Sequence, residues 1–134
     1  MRSFKLISLT ACILVLCACS RQPEQVATPS PTEVQAAIER KVAELRSQMP
    51  RVIEPGITCR DVKAGPRTVI YDIEVAESRF AKNKDKETQL EEIAFSRLSK
   101  NDSLRRVLGV NVRLHYKFFD ASKQFLCDFT VHGS

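Results

Sequence analysis

The chain has 134 residues and a formal net charge of +5, with 43% hydrophobic and 28% charged residues. That length holds one small domain plus a tail, and that apolar content excludes a disordered polyelectrolyte. The basic residues are scattered, with no basic helix and no aromatic-basic stripe, which excludes a nucleic-acid-binding module.

Residues 1–5 carry Arg2 and Lys5 and no acid, and residues 6–18 are apolar apart from Ser8, Thr10 and two cysteines. A helix that spans a bilayer needs about 20 apolar residues. This shorter run therefore reads as a signal segment, and it ends in Leu16-Cys17-Ala18-Cys19. The tetrapeptide resembles the lipobox of bacterial lipoproteins, where a large aliphatic residue stands three places before the acylated cysteine and a small one directly before it. Leu16 and Ala18 meet both requirements. The resemblance implies cleavage after Ala18, lipidation of Cys19 and a mature chain anchored in a membrane. Ser20 stands where an Asp favours inner-membrane retention, which implies the outer membrane with the domain facing the periplasm. Cys17 is excluded because bulky Leu16 precedes it. Cys12, in Leu9-Thr10-Ala11-Cys12, matches locally with a shorter apolar run and stays open as a rival, as does an uncleaved anchor.

Processing removes Arg2 and Lys5 and no acid, so the charge falls by two. Residues 19–31 form the lipidated cysteine and a tether rich in Pro, Ser, Gln and Thr, with little to bury. The single α+β domain is expected over residues 32–134. It opens on a helix over 32–49, capped by Thr32 with Gln35 at capping-box spacing. Val34, Ile38, Val42, Leu45 and Met49 form its apolar stripe, and Pro50 ends it. A strand follows between 53 and 63, around the Glu54-Pro55-Gly56 break, with Ile57 and Cys59 on one face. After the turn at 64–67, a second strand alternates Val69, Tyr71, Ile73 and Val75 with Ile70, Asp72, Glu74 and Ala76.

The charged connection 80–86 leads to a helix over 87–98 with Leu90, Ile93, Ala94 and Leu98 inward. Asn101-Asp102 caps a short helix bearing Leu104, Val107 and Leu108, stopped by Gly109. Residues 110–119 form a strand with Val110, Val112, Leu114, Tyr116 and Phe118 on one face, and 124–131 return from the 120–123 turn. There Phe125, Cys127, Phe129 and Val131 face one way and Leu126, Asp128, Thr130 and His132 the other. The expected fold is an antiparallel four-stranded sheet of two hairpins, with helices packed on one face.

Of five cysteines, Cys59 and Cys127 remain in the mature domain. One pair in an exported chain is a disulfide candidate, which would tie the first strand to the last. Two buried free thiols on separate strands is the other arrangement the sequence admits. Without a histidine at ligand spacing the pair is not a metal site.

No catalytic constellation stands out: there is no G-x-S-x-G, no phosphate-cradling glycine loop and no H-E-x-x-H. His115 faces outward near Asp72, Glu74 or Asp128, which a solvated cross-strand charge ladder explains more simply than acid/base chemistry. No cofactor, metal, nucleic acid or small-molecule substrate is expected. A partner surface is the better candidate: Phe119 and Leu126 on the outward face, flanked by Arg113 and Lys117. A helix covering that face is the alternative.

Met49-Pro50, Thr58, Gly65, Tyr71, the run Leu104-x-x-Val107-Leu108-Gly109-Val110, Tyr116 and Phe129 carry a resemblance to small Gram-negative lipoproteins. The same residues are less closely similar to the pilot lipoproteins of type II secretion systems. It implies an α/β domain, lipid-anchored and disulfide-bearing, that escorts secretin subunits at the outer membrane. The expected function is a non-catalytic, lipid-anchored envelope protein that binds another envelope protein in assembly or escort. The alternative is a periplasmic inhibitor or immunity lipoprotein against a toxic hydrolase.

Overall fold

The computed structural model describes residues 29–104, 108 and 111–132. The signal segment, Cys19 and most of the tether lie outside the described residues, as do Val107, Gly109 and Val110. In chain order the elements are α1 (Pro31–Arg46), β1 (Arg51–Glu54), β2 (Ile57–Gly65) and β3 (Thr68–Val75). There follow a 3-10 turn (Glu77–Arg79), α2 (Lys86–Glu92), a π-helical stretch (Ile93–Leu98), α3 (Ser99–Asn101), β4 (Arg113–Phe119) and β5 (Phe125–His132).

α1 starts one residue earlier than Thr32 would have it. Pro31 occupies the first turn, where its fixed φ is already helical and its missing N–H costs nothing. Ser30 therefore takes the cap: Glu33 N donates to Ser30 Oγ at 3.2 Å, and Ser30 N donates to Glu33 Oε2 at 2.8 Å. Asp85 caps α2 by accepting from Thr88 N at 3.0 Å. α3 continues the preceding helix up to Asn101, and the short helix expected after Asn101-Asp102 lies for the most part outside the described residues, although Leu104 is helical. Asp102 Oδ1 then accepts from Leu104 N at 2.9 Å, and Leu108 N donates to Leu104 O.

The sheet has five strands in the order β1-β2-β3-β4-β5, and β3 and β4 run parallel. The expectation of four antiparallel strands in two hairpins is corrected on both counts. Residues 51–54 form a strand of their own, hairpinned onto β2 through Pro55-Gly56. Three of its four residues are exposed, so it shows no alternation to read. The connection from Val75 to Arg113 passes through the helices and returns to the start of β3, which makes β4 parallel to it.

Two bulges reset the pleat. In β2, Cys59 pairs with Ile73 and Asp61 with Asp72, so Arg60 is the extra residue and Val62, not Asp61, turns inward. In β5, Phe118 pairs with Cys127 and Phe119 with Phe125, so Leu126 is the extra residue. The helices pack on one face of the sheet: Ile38 and Val42 of α1, Leu90 of α2, and Ile93, Ala94 and Leu98 of the π-helical stretch join one core. The sheet contributes Ile57, Val62, Val69, Ile73, Leu114 and Phe118 to it. No described helix is long and apolar enough to cross a membrane.

Candidate functional site

Cys59 and Cys127 are both free. They share one row of the sheet, Cys59–Ile73–Phe118–Cys127, with β3 and β4 between them. At about 4.8 Å per strand step they stand roughly 14 Å apart, beyond the roughly 7 Å within which a disulfide closes. The bridge proposed from cysteine number alone is therefore corrected: the sheet holds the two thiols apart. Burial pushes Cys59 up to about 12 and Cys127 up to about 11, so both are protonated at neutral pH.

The outward face carries no helix among the described residues, and its charges neutralise one another. Arg60 pairs with Glu74, Lys63 Nζ lies 3.2 Å from Asp72, and His115 Nε2 lies 2.7 Å from Asp128. Lys117 sits in register between Asp72 and Asp128. Arg113 lies at the far end of this face, opposite His132. Phe119 and Leu126 are not brought together as an outward patch. The β5 bulge instead sets Phe125, 55% exposed, edge-on to Phe119 at 5.8 Å, while Leu126 is half-buried against the core.

A second feature lies on the helix side. A groove of about 370 Å³ opens between the C-terminal end of α1, β1 and the end of the second helical run. Its floor is Cys59, Tyr71, Ile73 and Tyr116 from the central strands. One wall is Leu45, Met49 and residues 51–54, and the other runs from Arg97 to Leu104. The volume is of ligand-pocket size. β1 forms an apolar lip, with Val52 66% and Ile53 41% exposed at the sheet's edge. The opposite wall includes the π-helical stretch, a rare geometry often found at functional sites.

Polar contacts fix the two walls. Tyr71 and Tyr116 stack in register with ring centroids 5.1 Å apart. Tyr116 Oη donates to Asp102 Oδ2 at 3.1 Å, and Tyr71 also hydrogen-bonds the same carboxylate. Burial, then the charge of Asp102, pushes the Tyr71 phenol well above its ordinary value. On the lip, Glu54 Oε2 accepts from Arg79 Nη2 at 2.8 Å and from Arg97 Nη1 at 3.0 Å, joining β1 to both helical segments. The arrangement offers an apolar slot with a few fixed polar groups and, among the described residues, no nucleophile–base pair. Sequence reasoning missed it because its lip is β1, whose exposure erases the strand signal. The apolar pair Val52-Ile53, between Pro50 and Pro55, is the trace it leaves in the sequence.

No family model and no curated protein sequence matches the chain. Among solved structures, the pilotin EpsS of the Vibrio vulnificus type 2 secretion system superposes with a TM-score of 0.62 at 10% identity, over 77% of this chain and 91% of that one. The type II secretion pilotin AspS of Vibrio cholerae gives 0.62 at 15% identity, over 77% and 92%. A secreted protein of Pseudomonas aeruginosa gives 0.55 at 18% identity, over 79% and 95%. The fold is thus shared with type II secretion pilotins at the level of a distant likeness.

Proposed function

We propose that this chain is a lipid-anchored, non-catalytic envelope protein whose groove holds a segment of another envelope protein, in an assembly or escort role. The observation that carries the reading is the groove with its uncovered β1 lip: a slot for an apolar segment, lined by fixed phenols rather than reactive groups. The pilotin-like fold and the lipobox at Cys19 support it, the first for the class of protein and the second for the compartment. Cleavage after Ala18 leaves Cys19 as the lipid-bearing residue that places the domain on the periplasmic side of the outer membrane. The outward face is the weaker docking surface, because at Arg60, Lys63 and His115 a partner would have to break existing charge pairs to use it.

Capture from detergent-solubilised envelopes with a C-terminal tag tests this. Wild type is expected to retain a stoichiometric partner, Val52→Asp to lose it, and Lys117→Glu on the outward face to keep it. Loss through Lys117→Glu but not Val52→Asp would move the site to the outward face. Recovery of no stoichiometric partner by wild type would overturn the reading.

A further inference from the structure

We propose that the domain seats on an anionic membrane surface by the end from which its tether leaves, through Arg67 and Arg113. This rests on the lipid-anchor reading above and adds an orientation to it.

The tether joins α1 at Ser30. One turn into the helix, Gln35 Nε2 donates to Gly65 O at 3.1 Å, and Gln35 Oε1 accepts from Arg67 N at 2.9 Å. The start of α1 is therefore pinned to the β2–β3 turn. Arg113 N donates to Arg67 O at 2.9 Å, and Arg113 stands in register with Thr68 on one side and His132 on the other. Tether exit, Arg67, Arg113 and the end of β5 thus share one end of the molecule.

Among the described residues Arg67 and Arg113 share with Arg51 and Lys117 the lack of an acidic partner, and they are the two of these that lie at the tether end. Arg60, Lys63 and His115 each have an acidic partner, whereas Arg67 and Arg113 are exposed and have none among the described residues. Glu33, the acid of α1's first turn, is engaged on the Ser30 backbone, where the helix dipole offsets its charge. Arg67 also has φ 49, a left-handed conformation that Gly or Asn would adopt at less cost. The turn keeps an arginine there regardless.

An arginine near an anionic surface gains roughly fivefold in occupancy, so two give about thirtyfold. That is too little to recruit a free domain, but ample to choose an orientation once a lipid holds the domain beside the membrane. The consequence is geometric. α1 has 16 residues, about 24 Å at 1.5 Å each, and the groove lies at its far end. Seated on Arg67 and Arg113, the domain holds the groove at its far end, about that distance from the headgroups.

The test uses the full acylated chain in vesicles of phosphatidylethanolamine and phosphatidylglycerol. The chain contains no Trp, so Asn111→Trp at the tether end and Ser122→Trp in the β4–β5 turn report separately. Lipid with a nitroxide headgroup is the quencher. Strong quenching of the Asn111→Trp protein and weak quenching of the Ser122→Trp protein are expected. The difference should vanish with Arg67→Glu/Arg113→Glu, in pure phosphatidylcholine and at high salt. Arg67→Gly/Arg113→Gln, which removes the charges while relieving the turn, should behave as the reversal does. Equal quenching at both ends, or a preference that survives loss of the two charges, would overturn the seating and leave the anchor intact. Absence of vesicle association would overturn both. Charge reversal that abolishes partner capture in detergent, without changing vesicle orientation, would reassign this end to a protein contact.

Discussion

Tyr116, Tyr71 and Asp102 carry the clearest energetic consequence in the molecule, because three polar groups are tied together at the floor of an otherwise apolar groove. Tyr116→Phe removes one hydrogen bond and should cost about 1 kcal/mol. Asp102→Ala removes the acceptor that the two phenols share and frees the wall that Leu104 belongs to, and should cost about 3 kcal/mol, read by urea denaturation. The thiols give a pH signature. Cys59 is raised from 9.0 to about 12, chiefly by burial. Its unfolded form ionises first, so the stability it contributes is complete below pH 9 and lost as pH rises from 9 toward 12. Tyr71, raised above 10.0, adds a further loss beyond pH 10. Unfolding free energy measured from pH 7.5 to 10.5 should fall at the alkaline end, and Cys59→Ala should flatten that fall. Denatured, processed protein should titrate two thiols, Cys59 and Cys127. None would restore the bridge that the sheet's spacing rejects.

At the scale of elements, the helix cap and the bulge are where local sequence admits two readings and geometry takes one. Thr32 and Ser30 both precede suitable partners, but Pro31 at the first position moves the start of α1 to Ser30. Ser30→Ala should therefore cost about 1 kcal/mol and Thr32→Ala only a few tenths, a difference visible in paired melting curves. In β2, strict alternation from Ile57 and Cys59 puts Asp61 inside, and the bulge at Arg60 puts Val62 there instead, fully buried. Val62→Ala should cost about 2 kcal/mol, whereas Asp61→Ala loses a partly exposed contact with Arg46 and a hydrogen bond from Val62 N and should cost about 1 kcal/mol. The spacing Ile57-x-Cys59-x-x-Val62 already contained that bulge, as two alternating runs out of phase by one.

Across the whole molecule the domain has two unlike ends. One carries the tether exit with Arg67 and Arg113; the other carries the groove, the β1 edge and the β4–β5 turn. β1 is short, at the sheet's edge and mostly exposed, while β3 and β4 are central and bear much of the core. Amide exchange followed by mass spectrometry should accordingly find β1 the fastest of the strands and β3 among the slowest. A partner seated in the groove should slow β1 while leaving β3 unchanged. Protection spread over β4 and β5 instead would favour the outward face.

Periodicity alone specified the α+β class, the stripe of α1, the alternation of β3 and β4 and the inward residues of the second helix. Each of these depends on neighbours along the chain, where hydrophobic spacing reports burial directly. The lipobox resemblance of residues 16–19, on which the proposed compartment rests, is local in the same sense. Tertiary structure decided the rest. Whether β4 pairs parallel to β3 depends on where the connection after Val75 returns, and the separation of Cys59 from Cys127 depends on strand order; neither leaves a mark on spacing. β1 was silent because exposure on nearly every residue removes the contrast that periodicity needs. The groove, made by β1 and three segments distant in sequence, exists only once the chain has folded.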